Sequence, residues 1–328
     1  MDENYLDEHY DVVVIGGGAA GLAGAVALAR SCRSVLVIDA GDPRNAPAGH
    51  VHNFLTRDGA TPAEIYAAGR AEVTRYGGRV ETGRVTALWR DGERFGVQAG
   101  GRTVAARRLL AATGLRDELP DVPGLAARWG TDVLHCPYCH GWEVAGQRIG
   151  ILGTGPASVH QALLFRQVSP HVTLLRHTGP APAGEQRAEL DARGVAIVDG
   201  PVEEVEAGAR GLTRVRLAGG RRVALDAVVV SPRLSARAEL LAPLGLQPAE
   251  VRVDGHLVGT RIETDPRGAT AAAGVWAVGN LTDLQAQVIT AAAAGLTAGA
   301  AINLDLVNEE ARHAARRAQP SGQEVSPH

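Results

Sequence analysis

Cys136-Pro137-Tyr138-Cys139 places two of the chain's three cysteines with two residues between them. A CxxC pair is the smallest unit that opens and closes a disulfide within one turn of chain, and the thiolate is its nucleophile. His140 follows Cys139 directly, and its side chain titrates near neutral pH, so it is the candidate proton carrier. Zinc would need a second ligand pair at suitable spacing. His135 and His140 flank the cysteines too tightly to complete a tetrahedron, so no metal site is expected. Cys32, at the end of an expected helix, reads as a small buried residue.

Two glycine-rich turns suggest nucleotides. In Gly16-x-Gly18-x-x-Gly21 the first glycine permits a tight turn, and the second lets a pyrophosphate approach the backbone. The third lets helix and strand pack closely. Asp39 closes the next strand, where a carboxylate can take ribose hydroxyls. Gly153-x-Gly155-x-x-Ser158 repeats the context with weaker chemistry. Its second strand runs into Arg176-His177-Thr178, where no acid selects NAD and only Arg176 could meet a 2′-phosphate. That turn reads either as a nicotinamide site or as a Rossmann geometry kept for packing. His50, His52 and Asn53 lie in a loop that either reaches over the first ligand or forms polar surface.

The elements that must hold these residues follow the same pattern. Strand Asp11–Ile15, a helix over Leu22–Arg30 and strand Ser34–Asp39 open a Rossmann unit. A helix is expected over Pro62–Tyr76 with Thr61 as its N-cap. Strands Arg79–Leu88, Phe95–Ala99 and Thr103–Ala112 read as an inserted antiparallel meander. A second unit has strand Arg148–Leu152, helix Ala157–Val168 and strand Val172–Leu175. Gly274–Gly279 is a buried strand, followed by an Ala-rich helix to about Asn303. Leu119–Gly124 and the segment near Pro232–Leu244 are candidate hinges. Arg317–His328 reads as a frayed tail.

Bulk numbers set limits. The 328 residues are 45% hydrophobic but only 4% aromatic, the filling of helices on parallel sheets. A net charge of −3 without a basic tract argues against nucleic acid or an anionic membrane. Met1–Tyr10 lacks the pattern of a signal peptide, and Ala291–Ile302, broken by Gly295 and Gly299, is too short to span a bilayer. Three cysteines form no secreted disulfide framework, so a cytoplasmic location is expected.

The order GGGAAG, Ala112-Thr113-Gly114, CxxC, a second GxG and GVWAVGN resembles low-molecular-weight thioredoxin reductase over nearly the whole chain. The resemblance implies an α/β fold with two Rossmann-like domains. Residues 1–117 and 242–328 would form a discontinuous FAD domain, and residues 118–241 an inserted NAD(P)-type domain carrying the CxxC. FAD contacts would come from Gly16, Gly18, Gly21, Asp39, Asn53, Val85, Thr113 and Gly114, and from Gly279, Asn280, Gln287 and Val288. Cys139 would face the flavin and Cys136 would exchange with the external partner. A homodimer is implied too.

Departures from the family pattern carry information. His140 replaces an Asp, and Arg176-His177-Thr178 replaces a tract gripping the 2′-phosphate, with Pro182 near the place of a further Arg. His160 and Gln161 replace glutamates, Asn280 an Asp, and Ala286 an Arg. CPYCHGWE is closer to the dithiol oxidases that close the disulfides of gliotoxin and holomycin. The expectation is an FAD-dependent thiol–disulfide oxidoreductase acting on a thioredoxin-like protein or a small dithiol or disulfide, with NADPH as one candidate donor. The rival is an oxygen-dependent dithiol oxidase that needs no NADPH. A non-turnover flavin redox sensor is the reading of another class.

Overall fold

The computed structural model describes residues 8–209 and 211–318. The acidic N-terminal segment before Glu8 and most of the expected tail lie outside the described residues. β1 (Glu8–Ile15), β2 (Val35–Asp39) and β3 (Arg79–Thr82) run parallel, with β2 between the others. The apolar runs of β1 and β2 are buried on both faces, as a sheet covered by helices requires, while β3 is a short, partly exposed edge strand. β4 (Val85–Asp91), β5 (Arg94–Ala99) and β6 (Arg102–Ala111) form the antiparallel meander. β3 therefore belongs to the Rossmann sheet, and the expected strand Arg79–Leu88 is two strands broken at Gly83-Arg84.

β6 is long enough to serve both parts. Its first half pairs with β5, and its last residues, Leu109–Ala111, pair with a late strand (β19, Val275–Ala277). Along its length it also pairs in parallel with β1. The cover comes from α1 (Ala19–Arg30) and α2 (Pro62–Arg75), where Thr61 and Glu64 form a reciprocal capping box.

The chain leaves this sheet through β7 (Leu115–Glu118). A second parallel sheet then contains β8 (Val133–Leu134), β9 (Ile149–Leu152), β10 (Val172–Leu175), β11 (Ala196–Val198) and β15 (Ala227–Val229), in the order β11-β10-β9-β15-β8. β12 (Val202–Gly208), β13 (Gly211–Leu217) and β14 (Arg222–Ala224) form an antiparallel layer before β15. The chain returns through β16 (Arg233–Ala236), which pairs antiparallel with β7, Glu118 opposite Arg233. β17 (Ala249–Val253) and β18 (His256–Arg261) complete that small sheet. The two expected hinge segments thus adjoin strands zipped to each other, with Glu118 accepting from Arg233 and Ser235.

The dithiol sits on α3 (Pro137–His140), just past β8; α4 (Ala157–Arg166) and α5 (Gly184–Ala192) belong to the same half. The last helix, α6 (Val288–Ala318), is continuous over 31 residues, well beyond Asn303. By length and mean hydropathy it could cross a membrane, so the expectation of too short a span does not hold. Gly295 and Gly299 do not break it. They are contact points with α1: a Cβ on Gly295 would lie 2.0 Å from the Ala20 carbonyl oxygen. Arg107 and Arg108 on β6 clamp its far end through Glu309, Glu310 and Asp305.

Cys32 departs from expectation. It is exposed, with φ 58°, at the turn after α1. Its N–H donates to the Ala29 carbonyl and that of Arg33 to Leu28, a Schellman closure that puts Cys32 in the left-handed position glycine usually takes.

Candidate active site

A cavity of about 1080 Å3 runs along the C-terminal edge of the first sheet to the CPYC segment. This is where open α/β sheets bind ligands. Gly16 and Gly18 form one end. Gly16 has φ 105°, and a Cβ there would lie 2.4 Å from the Ala112 carbonyl oxygen, so the turn tolerates only glycine. A Cβ on Gly18 would meet nothing within 4 Å, leaving its backbone open to the cavity. Gly21 does not line the cavity; it packs the helix against the Gly16 carbonyl. Asp39 lines it and accepts the Gly17 N–H at 3.1 Å.

Val85, Thr113 and Gly114 lie along the same cavity, and Gly279, Asn280, Gln287 and Val288 close its far wall. The Asn280 amide is occupied, donating to the carbonyls of Asp283 and Ala286 and so shaping the entry to α6. Thr113 donates its hydroxyl to the Arg237 carbonyl. Asn53 is placed differently from expectation. It does not line the cavity, has φ 59°, and donates its amide to the Tyr138 carbonyl. Its neighbour His52 bridges Asp58 and Glu143, so this loop grips the CPYC segment.

These residues fit FAD. A cradle of open backbone at a helix N-terminus, a carboxylate closing β2 and a long, largely apolar cavity match a flavin dinucleotide.

Cys136, Cys139 and His140 meet the other end of the cavity. Cys136 caps α3, whose first position is Pro137. The Cys139 S–H and the N–H groups of Cys139 and Tyr138 point at its sulfur and lower its pKa to about 7. Arg44, held by Asp117 through 2.8 and 2.6 Å bonds, adds a positive charge nearby. The Cys139 thiol is raised because it donates to the Cys136 thiolate and is buried. The reduced pair therefore holds one thiolate, on Cys136, and one thiol, on Cys139. Burial pushes the His140 imidazole below its usual pKa, and its Nε2 is buried without a partner among the described residues.

Sequence reasoning missed Arg44 and the active part of Gln161. Gln161 lines the cavity from α4 and ties together the ends of β8 and β15. No local signal marks either, because their partners lie far along the chain.

Gly153, Gly155, Ser158 and Arg176 line a separate cleft of only about 10 Å3. The N–H groups of Thr178 and Gly179 bond the Gly153 carbonyl and close the loop onto the turn. Pro156 opens α4 without an N–H to offer a pyrophosphate. Arg176 is paired with Asp199 at 2.8 Å, which puts a carboxylate where a 2′-phosphate would need positive charge. Ser158 is buried with its hydroxyl unpartnered among the described residues. As arranged, this cleft does not fit a nicotinamide dinucleotide.

Comparison with known proteins agrees with this geometry. Residues 10–295 match the model of the pyridine nucleotide-disulphide oxidoreductase family. Thioredoxin reductase tcpT of Claviceps purpurea is 33% identical over 304 residues, covering 88% of this chain and 92% of that protein. Thioredoxin reductase sirT of Leptosphaeria maculans is 30% identical, covering 92% and 95%. The crystal structure of HlmI superposes with a TM-score of 0.87 at 45% identity, covering 94% of this chain and 96% of that one. The oxidoreductase from Agrobacterium tumefaciens gives 0.85 at 36%, covering 91% and 99%.

Proposed function

The chain belongs to the pyridine nucleotide-disulphide oxidoreductases as a thioredoxin reductase-like flavoprotein, and on that premise we propose that it oxidises a small-molecule dithiol. Thioredoxin reductase-type members of the family use FAD with NADPH as electron donor. In our reading electrons here run from substrate through Cys136 and Cys139 to FAD and on to oxygen. The observation that carries it is the second cleft: about 10 Å3, proline at its helix start, its one cation paired with Asp199.

Bound FAD supplies two-electron acceptance and reaction with oxygen. The chain's residues do the rest. Cys136, at the N-terminus of α3, exchanges with the substrate sulfur. Cys139 takes the electron pair released when the enzyme disulfide opens. His140, neutral and half-buried, moves the proton between Cys139 and the flavin side of the cavity.

Anaerobic mixing tests the direction. A small dithiol such as dithiothreitol should bleach the flavin band, with recovery and peroxide release on admitting air. NADPH at micromolar concentration should leave it unbleached. Rapid bleaching by NADPH would instead establish a reductase acting on a thioredoxin-like protein or a small disulfide.

The reading includes a homodimer. Ile289, Leu296, Leu304 and Val307 are 36%, 57%, 49% and 45% exposed, along the face of α6 turned away from α1. Such an apolar stripe suits a second copy of the helix. Leu296→Glu should yield monomers by light scattering; an unchanged dimer would remove α6 from the interface.

A further inference from the structure

We propose that His135 is a second catalytic base, serving the substrate-facing sulfur through its Nε2, and that Gln161 is the residue that positions it. The inference rests on the CPYC pair exchanging with an external thiol. It holds for either direction of electron flow.

The geometry begins with two strand ends. β8 and β15 pair in parallel, Leu134 beside Val229, so His135 and Val230 leave the sheet side by side. The Val230 N–H bonds the Leu134 carbonyl and fixes the two ends together. His135 Nδ1 then lies 3.0 Å from the Val230 carbonyl oxygen. A carbonyl only accepts, so Nδ1 carries the proton and Nε2 carries the lone pair. Nε2 makes no hydrogen bond among the described residues, and His135 lines the same cavity as Cys136.

Gln161 reinforces this choice. Its Nε2 donates to the His135 carbonyl at 3.1 Å and the Val230 carbonyl at 3.3 Å, and its Oε1 accepts from the Ser231 hydroxyl at 2.9 Å. It is 7% exposed, and all three bonds demand one amide orientation. The strand ends, the glutamine and the serine therefore hold the imidazole ring from behind and leave its basic edge free.

Burial keeps His135 below its usual pKa, so the ring is neutral at pH 7 and able to accept a proton. The titratable and charged groups around it are the Arg44–Asp117 pair, Cys136 and His140, with His160 on the same cavity wall from α4. Arg44 opposes protonation and Asp117 favours it.

The proton balance calls for such a group. A substrate dithiol carries two protons into reaction with the Cys136–Cys139 disulfide. The first thiol gives its proton to His135 Nε2, and its sulfur attacks Cys136. The enzyme S–S bond breaks, and the electron pair goes to Cys139. The second substrate thiol gives its proton to the Cys139 thiolate, and its sulfur attacks the substrate sulfur of the mixed disulfide, closing the substrate disulfide and releasing Cys136 as a thiolate. The reduced enzyme holds one proton, on Cys139. The other must leave, and His135 carries it to solvent.

His135→Asn separates the two functions of the ring, because the Asn amide nitrogen can still donate to Val230 while Nε2 is removed. The test is anaerobic flavin bleaching by dithiothreitol in a stopped-flow instrument, between pH 6.5 and 9.5. A thiol of pKa about 8.5 is a few per cent ionised at pH 7, so bleaching by the variant should be slower by about 30-fold or more there. The deficit should close as alkali ionises the thiol itself. Wild type should be nearly flat between pH 7 and 8. Oxygen recovery of photoreduced flavin should not change. A uniform slowing at all pH values, or a variant profile matching wild type, would overturn the proposal. If the variant takes up no flavin, the wild-type profile decides: a tenfold rise per pH unit from pH 7 to 8 would mean that no base assists the thiol. The assay contains neither oxygen nor NADPH, so its outcome stands apart from the direction of flow.

Discussion

Cys139→Ser should bind FAD normally and lose dithiol turnover by at least about 10³-fold, since residues acting as one unit fail together. Two sulfurs are needed to hold two electrons as a dithiol, and a lone thiol has no disulfide for the substrate to open. Serine is the informative replacement. Its hydroxyl can still donate to the Cys136 thiolate, as the Cys139 S–H does, while the N–H groups of Tyr138 and Cys139 remain. Cys136 should therefore stay alkylatable below the usual thiol range. Challenged with an aromatic disulfide, the variant should stop as a stable mixed disulfide at Cys136. An adduct that resolves, or turnover near wild type, would refute the division of labour between the sulfurs. Cys136→Ser should behave differently: it removes the Cys136 thiolate that chiefly raises the Cys139 thiol, leaving burial alone to hold that thiol up, so Cys139 should alkylate more slowly at pH 7 than Cys136 does in Cys139→Ser.

Gly295→Ala should be severely damaging to the scaffold. Its Cβ would lie 2.0 Å from the Ala20 carbonyl oxygen and 2.8 Å from the Ala20 carbonyl carbon, both backbone atoms that cannot rotate away. α1 and α6 would have to separate, at a cost of about 3 kcal/mol or more. α1 also carries the Gly16–Gly21 turn, so flavin content should fall along with the thermal midpoint. Gly299→Ala meets the Gly24 carbonyl oxygen at 2.8 Å and should be milder. Equal effects at the two positions would show that α6 shifts as a whole, against the packing argument.

What could be read from sequence follows the range of the interactions. The Gly16–Asp39 unit and the CxxC are local: a few residues fix turn, helix start and chemistry. The second turn could also be doubted from sequence, because Arg176-His177-Thr178 lacks the charges a nucleotide needs. Long-range partners could not be read. His135 acquires its tautomer from Val230, 95 residues away, and Arg44 its anchor from Asp117, 73 residues away. Gly295 and Gly299 read as helix breakers because composition does not reveal that another helix approaches there. Asn53 carries a binding residue's chemistry, yet its amide is occupied by Tyr138.

The β7–β16 pairing has a consequence for how such a chain can change over evolution. Glu118 and Arg233 are register partners, so residues 119–232 depart and return at adjacent points. Neighbouring antiparallel residues lie about 5 Å apart, a gap that a two-residue turn spans. The intervening segment is a detachable cassette in the topological sense. Residues such as Pro156 and Asp199 can change inside it while the cradle around Gly16, Gly18 and Asp39 keeps its own sheet, helices and core. One half of the molecule can thereby lose a ligand while the other retains its own.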